Sequence, residues 1–386
     1  MRTQSRARQE FVTLVCAGLG SIGFVLLRLV SAAQGELSRF VVAGTRWTGP
    51  ANHYLYHFAN SGYDGQFYWR LAADPFNIGL APLLGIPLDH ALRDNRIFYP
   101  VVGWALSIGQ PRWVAFGLVM ANILALLALV YVALRVCREV NRTPYWALLV
   151  LLVPGLVGSL SRDLTEIFSA LLVVAGLVAW RRERYWLVAL MWSLAGLTRE
   201  TNILAAFCLA LISLVAIARG QRKISIQEVA WVVPGLVFVL WQLIAHQVLG
   251  TFPLASSSGT GDLGWPFWGF IHGASKWLPA THLHDLAKAG LYSVETLVTA
   301  TLLFVAYRRR TFFNFLERMI IVAFSLLFIC ETQRGWQVPF DNRYATVPLV
   351  VIWFGILRGS DTKQVRQMLL LAPLVLVTVA WRLVVI

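Results

Sequence analysis

Residues 11–33 have the sequence FVTLVCAGLGSIGFVLLRLVSAA, in which Arg28 is the one charged side chain. As an α-helix, a stretch of this length spans the hydrocarbon core of a bilayer, which requires about 20 apolar residues. A basic segment at 2–8 precedes it, as in a secretory signal peptide, but the apolar run is too long and no small-residue cleavage site precedes Glu36. We therefore predict a retained first transmembrane helix with a cytoplasmic N-terminus.

The rest of the chain repeats this pattern. Of 386 residues, 58% are hydrophobic and 13% are charged, and the mean hydropathy is +0.65. The charged fraction is about half that of a soluble domain. We predict an all-α polytopic membrane protein whose residues 1–386 form a single transmembrane domain with about eleven helices, within a range of nine to twelve. The predicted spans are 11–33, 113–134, 145–160, 165–180, 185–198, 201–218, 229–248, 290–306, 318–331, 344–357 and 368–386.

The basic residues follow the alternation of these spans. With the N-terminus inside, each predicted cytoplasmic segment carries a triplet of basic residues. These are Arg2/Arg6/Arg8, Arg135/Arg138/Arg142, Arg181/Arg182/Arg184, Arg219/Arg222/Lys223, Arg308/Arg309/Arg310 and Arg358/Lys363/Arg366. Nearly all of the net charge of +14 therefore lies on the predicted cytoplasmic side, as the positive-inside rule requires. Topology accounts for the basic composition, so we predict no nucleic-acid partner and place the protein in the plasma or inner membrane.

Two predicted extracytoplasmic segments are long, namely 34–111 and 249–289. The first contains apolar stretches that are too short or too interrupted by Pro and Gly to span, so we expect helices on the membrane surface. The four cysteines show no CxxC or metal-ligand spacing. We predict no metal and no cofactor.

The most distinctive local pattern lies in the first of these segments, where residues 62–70 have the sequence GYDGQFYWR. Aromatic side chains can stack on a sugar ring, glycine permits close approach of another chain, and the carboxylate of Asp64 can accept a proton from an attacking hydroxyl. An equally simple interpretation is that Asp64 caps an interfacial helix that begins near Gly65. The residue types alone leave both interpretations open.

With a cytoplasmic N-terminus, one span and a long outer loop carrying Tyr63-Asp64-Gly65, the chain resembles the GT-C-fold membrane glycosyltransferases. In particular it is similar to bacterial members that build or decorate cell-surface glycopolymers. The resemblance covers most of the chain as architecture and is specific only around Asp64. Some branches have two adjacent acidic residues at this place, whereas Asp64 lies between Tyr63 and Gly65.

The resemblance implies an inverting transfer of sugar from a polyprenyl-phosphate donor to a glycan, lipid or protein acceptor of the cell envelope. The reaction would take place at the outer face of the membrane, in contact with membrane lipids. Asp64 would be the general base. The leaving phosphate would need outer-facing cations, for which we select Arg199, Arg343 and Arg334, with Arg162 as a weaker alternative. We expect Arg199 and Arg343 to converge on one anionic site.

Further residues could contact substrate. We assign this role to Tyr63, Gln66, Tyr68, Arg70, Asp163, Glu200 and His57. His53 and His57 would share a helix face but lack a third metal ligand. The alternatives in other classes are a transporter or flippase of lipid-linked saccharides, which predicts charges deep within the spans, and a glycan ligase or polymerase, for which a larger late loop is typical.

Overall fold

The computed structural model describes residues 2–256, 263–277, 282–332, 343–359, 366, 369 and 372–385. Within these ranges the regular structure is mainly helical, joined by turns and loops, and the one sheet is a parallel pairing of two short strands, with Ala43 opposite His57. The helices are α1 (Arg2–Ser31), α2 (Gly65–Ala73), α3 (Phe98–Leu106), α4 (Val114–Glu139), α5 (Pro154–Arg162), α6 (Glu166–Arg181), α7 (Tyr185–Thr198), α8 (Leu204–Ala218), α9 (Val229–Leu249), α10 (Pro253–Ser256), α11 (Trp268–Trp277), α12 (Leu283–Arg308), α13 (Phe315–Ile329), α14 (Thr346–Arg358) and α15 (Ala372–Val384).

Shorter elements connect these helices. The strands are β1 (Ala43–Gly44) and β2 (His57–Phe58). The 3₁₀ segments are Leu37–Val41, Ala91–Asn95, Pro111–Trp113, Pro144–Leu151, Glu200–Ile203, Ile226–Glu228, Arg310–Phe312 and Arg343–Ala345. The all-α class predicted from the sequence is confirmed.

Several helices are long and apolar enough to cross a bilayer. In the described part of the chain there are five, at Ser5–Ser31, Pro111–Glu139, Glu200–Ala218, Ile226–Leu249 and Asp285–Arg308. A sixth arises if the 3₁₀ segment Pro144–Leu151 and α5, which are bent by 66°, form one broken span. Proline lacks the N–H that would continue the helix, so Pro154 explains a break within the predicted 145–160 span. A helical membrane protein is thus supported.

Other predicted spans are occupied by shorter helices. The helices α6, α7 and α13 contain 16, 14 and 15 residues, and α14 and α15 contain 13 each. Helices this short reach across a full hydrocarbon core only if the bilayer thins or the helix continues beyond its apolar part. The count of eleven spans therefore stays a prediction. α12 begins at Leu283, inside the segment 249–289 that was predicted as a loop.

The chain divides into two compact units. The Asp64 unit comprises Ser21–Leu126, Ser159–Thr260 and Arg382–Ile386. In it α7 packs against α6 and α9, α8 packs against α9, and α2 packs against α3. The fully buried Trp192 of α7 lies against Gly176 of α6, where an added Cβ would come within 2.1 Å of the indole. Only glycine lets these two helices approach this closely.

Arg28, the charged residue in the first span, is fully buried in the Asp64 unit. Its Nε donates to the carbonyl of Ser161 at 3.0 Å, and its Nη1 donates to the carbonyls of Val385, at 2.9 Å, and Arg382. These carbonyls lie at or just beyond the C-terminal ends of α5 and α15, where no further turn supplies an N–H. The negative ends of two helix dipoles thus compensate the buried charge.

The Glu317 unit comprises Met1–Gly20, Leu127–Gly158 and Gly261–Trp381. Here α12 and α13 both pack against α14. Asn314 and Glu317 form a capping box at the start of α13, and Glu317 also pairs with Arg358 at 2.6 Å. The ring of Phe313 fills the space at Gly355, where a Cβ would lie 2.0 Å from it.

Candidate functional site

The start of α2 is held by a glycine-dependent turn. Gly62 adopts φ +68, in the left-handed region that glycine enters without strain. A Cβ on Gly65 would lie 2.5 Å from the carbonyl oxygen of Val41 and 2.7 Å from that of Arg162. Two other segments of backbone therefore approach the beginning of α2 more closely than any residue with a side chain would allow. This fixes the position of Asp64, which immediately precedes the helix.

Asp64 occupies the N-cap position but does not cap α2. Its backbone is helical, with φ −59 and ψ −27, and its side chain makes no capping hydrogen bond. Instead its Oδ1 lies 2.9 Å from Nη1 of Arg93, and its Oδ2 lies 3.8 Å from Nη1 of Arg96. The helix-cap interpretation of Asp64 is therefore wrong, although the predicted helix start at Gly65 is right. Two positive charges at this distance favour the ionised carboxylate.

Each of these two arginines is held from behind by a second carboxylate. Arg93 donates from Nε and Nη2 to Asp89 at 3.0 and 3.1 Å. Arg96 donates from Nε and Nη2 to Glu200 at 2.9 and 2.7 Å. In both cases the bidentate contact leaves Nη1 directed at Asp64. We call this group of Asp64, Asp89, Arg93, Arg96 and Glu200 the arginine clamp.

Burial and charge act against each other on the two guanidinium groups. Burial alone would lower the pKa of Arg96, but Glu200 and Asp64 outweigh it and raise that pKa well above its usual range. Burial would also lower the pKa of Arg93, but Asp64 and Asp89 outweigh it and raise that pKa. Both arginines therefore remain cationic, and they lie beside Asp64 in a mostly buried site.

Sequence reasoning missed Arg93, Arg96 and Asp89. The signal that could have found them is the density of charge in residues 89–96, DHALRDNR, because residues 75–111 contain no other charged side chain. The 3₁₀ segment Ala91–Asn95 brings the two arginines to the same side of the turn, because residues three apart nearly eclipse each other in this geometry.

The arginines that the sequence suggests as phosphate ligands are not members of the arginine clamp. Arg199 is buried and pairs with Glu166 at 2.8 Å, next in sequence to Glu200 of the clamp. Arg162 lies over the ring of Tyr63 at 4.6 Å. Arg343 begins a 3₁₀ segment in the Glu317 unit, and Arg334 lies outside the described residues. The convergence of Arg199 and Arg343 stays a prediction.

Two of the residues assigned to substrate, Tyr68 and Glu200, contact Arg96 of the clamp. The hydroxyl of Tyr68, a fully buried residue, lies 3.3 Å from Nη1 of Arg96. Asp163 is also fully buried and adopts φ +51, immediately after Arg162. Glu200 belongs to the clamp, whereas Tyr63 precedes Asp64 in sequence and its ring lies under Arg162. The structure brings Tyr68 and Glu200 to Arg96, and substrate contact by Tyr63, Tyr68, Asp163 and Glu200 stays a prediction.

Other assigned residues serve the loop itself. Gln66 accepts from the Gly44 N–H at 3.0 Å and donates to the Ser61 carbonyl at 3.1 Å. Arg70 is fully buried and donates to three carbonyls of the loop after α2, at Asn77, Gly79 and Ala81.

His57 lies in β2 with a buried Nε2 that has no hydrogen-bond partner among the described residues. No group of three metal-ligating residues occurs in the part of the chain that the structure describes. The hydrogen bonds that Gln66 and Arg70 form with backbone groups of the loop favour structural roles for these two side chains.

No family model, curated protein or solved structure matches this chain. The clamp combines three carboxylates with two arginines, and Asp64 is the carboxylate that is not engaged in a bidentate contact. Asp64 can accept a proton, and the two arginines can then stabilise a developing negative charge. Both functions are presented within one hydrogen-bonded group, next to aromatic side chains.

Proposed function

We propose that this protein is an inverting GT-C-type glycosyltransferase that uses a polyprenyl-phosphate sugar at the extracytoplasmic face of the membrane. The observation that carries the proposal is the contact of Asp64 with Arg93 and Arg96 in place of a helix cap. A carboxylate used only for capping would have no need of two arginines. A base that must act beside a departing phosphate needs both elements together.

In the proposed reaction an acceptor hydroxyl attacks the anomeric carbon of the donor. The new bond joins the acceptor oxygen to that carbon, while the bond from carbon to the phosphate oxygen breaks and its electron pair leaves with the lipid phosphate. Asp64 takes the hydroxyl proton. Arg93 and Arg96 neutralise the additional negative charge that the phosphate acquires, through charge-assisted hydrogen bonds.

The bidentate carboxylates contribute to this role by positioning. Asp89 and Glu200 hold the planes of the two guanidinium groups, and the Nη1 atoms that contact Asp64 become available to the phosphate once Asp64 has taken the proton and lost its charge. Tyr68 supports Arg96 from a third direction. The clamp is thus proposed as the phosphate site, with Arg199 as a neighbour that pairs with Glu166.

The test uses the substitution Asp64→Asn and, as its matched control, Asp74→Asn at the opposite end of α2. Membranes of the source cell, lacking the native gene and supplemented with either variant, receive polyprenyl-phosphate donors labelled in different sugars. Loss of a general base lowers the rate by about 10²–10⁴-fold. We expect this loss for Asp64→Asn, with unchanged donor binding to the purified protein, and parental transfer for Asp74→Asn.

Two outcomes would overturn the proposal. One is transfer by Asp64→Asn within threefold of the parent, with all donors that the parent uses. The other is movement of labelled lipid across the membrane of sealed vesicles without transfer of its sugar, which would identify the protein as a transporter. If Asp64→Asn does not accumulate, Arg93→Gln replaces it, with binding of the donor measured separately.

A further inference from the structure

A groove runs between α12 and α13 in the Glu317 unit. One part of it has a volume of 380 Å³, within the range of small-molecule sites, and a second part of 190 Å³ shares the lining residues Leu303 and Ile329 with it. Almost all of its surface is apolar. Both helices pack against α14, which holds them in place on the two sides of the groove.

The groove is charged at one end only. Arg310 and Arg318 line this end, and both are exposed. Neither forms an ion pair with an acidic residue of the described chain, and the nearby Glu317 is buried and pairs with Arg358. Two cations at the mouth of an apolar groove thus lack an acidic partner within the ranges that the structure describes.

The dimensions fit one leaflet of a bilayer. Along α12 the lining runs from Thr296 to Tyr307, and eleven residues of helix rise about 16 Å. Half of a hydrocarbon core is about 15 Å thick. An acyl chain entering at the arginines would therefore extend along the groove to the middle of the membrane.

A hydroxyl group inside the groove also points to a ligand. The Oγ of Ser325 is buried and has no hydrogen-bond partner among the described residues. Serine and threonine in a helix ordinarily bond a carbonyl of the preceding turn, so an unpartnered hydroxyl beside an apolar gap is unusual. An ester oxygen of a lipid could accept from Ser325, which lies two helical turns beyond Arg318.

We propose that this groove binds an anionic glycerophospholipid, with its phosphate between Arg310 and Arg318 and one acyl chain between α12 and α13. Basic pockets between membrane helices bind such headgroups by the same combination of charge and apolar surface. The groove shares no residue with the arginine clamp, and the proposal does not depend on the proposed transferase activity.

The experiment titrates delipidated protein in detergent with phosphatidylglycerol or phosphatidylcholine and measures bound lipid by native mass spectrometry. An arginine near anionic lipid contributes a factor of about five in affinity. We expect about fivefold weaker phosphatidylglycerol binding for Arg310→Ala and for Arg318→Ala, and about 25-fold for the double variant. Arg309→Ala is the matched control, because Arg309 is exposed in the same loop but does not line the groove.

A second variant tests the apolar part. Val322 lines the groove and is exposed, so Val322→Trp should fill it without disturbing the core and should weaken binding of both lipids. The proposal is overturned if Arg309→Ala weakens binding as much as Arg310→Ala, or if phosphatidylcholine binds as tightly as phosphatidylglycerol. It is also overturned if excess inorganic phosphate displaces the lipid, or if undecaprenyl phosphate binds in its place with higher affinity.

Discussion

The contact between Asp64 and Arg93 can be measured as a coupling free energy. The perturbation is a double-mutant cycle of Asp64→Ala and Arg93→Gln. The two side chains are 13% and 10% exposed and are joined at 2.9 Å, so solvent screens them weakly. A hydrogen bond between charged groups contributes about 1.5–3 kcal/mol. Arg93 keeps its bidentate contact with Asp89 when Asp64 is removed, so we expect the lower end, about 1.5 kcal/mol.

A helix cap would give a different pattern. Asn caps a helix nearly as well as Asp, and Ala costs about 1 kcal/mol. Under the capping interpretation Asp64→Asn would be neutral, Asp64→Ala would be destabilising, and neither would couple to Arg93. Under the ion-pair interpretation Asn also loses most of the contact, because it carries no charge, and the coupling to Arg93 is present.

The assay is equilibrium unfolding in mixed micelles of dodecyl maltoside and sodium dodecyl sulfate, followed by far-ultraviolet circular dichroism with a refolding check. A control cycle pairs Asp74→Ala with Arg93→Gln and should show no coupling beyond about 0.5 kcal/mol, the usual limit for independent sites. A coupling below this limit for Asp64 and Arg93, together with a neutral Asp64→Asn, would refute the reasoning and restore the cap.

Three further predictions follow from the same unit. Burial raises the pKa of Asp94 to about 7 against the opposing charge of Arg70, so the folded state holds a proton that the unfolded state releases. The free energy of unfolding should then fall as pH rises from about 4 to 7, by up to about 4 kcal/mol, and Asp94→Asn should remove this fall. Gly65→Ala should destabilise the protein and abolish sugar transfer. A cysteine at Ser61 should react with an impermeant thiol reagent on intact cells, whereas one at Glu183 should react only after lysis.

Each of these has its own control. For the first prediction, the free energy of unfolding is measured at pH 5 and pH 8. An equal fall between these pH values in the parent and in Asp94→Asn would contradict it. Gly23→Ala, at a position where a Cβ meets nothing within 4 Å, should be neutral beside Gly65→Ala. The labelling begins from a variant without native cysteines. If the cysteine introduced at position 183 reacts before lysis, the predicted topology is wrong.

The sequence was informative where a local pattern determines local structure. The start of α2 at Gly65 follows from the change from glycine and aspartate to an apolar-aromatic run, and the long apolar spans follow from hydropathy. Hydropathy does not register a break in the backbone, so it predicts one span at residues 145–160 although Pro154 marks the bend.

The arginine clamp could not be predicted in the same way. Asp64 and Arg93 are far apart in sequence, and their contact depends on how the first loop folds back on α2. Arg96 and Glu200 are 104 positions apart. Charge density in a loop indicates that its side chains need partners, but it does not specify which of several acids supplies them. For the same reason the sequence favours a phosphate as the partner of Arg199, whereas the structure pairs it with Glu166.

The buried Arg28 has a consequence for the order in which the protein is made. Its acceptor at Val385 follows it by 357 residues, which a ribosome adds in roughly 20–70 s at about 5–20 residues per second. Throughout that interval the first helix carries a guanidinium group in the bilayer without that acceptor, and such a charge is costly unless it reaches the interface. We therefore expect the helix to lie in a shallow or tilted position during this interval, with the side chain extended to the headgroups. It would reach its final depth only after Val385 has been made.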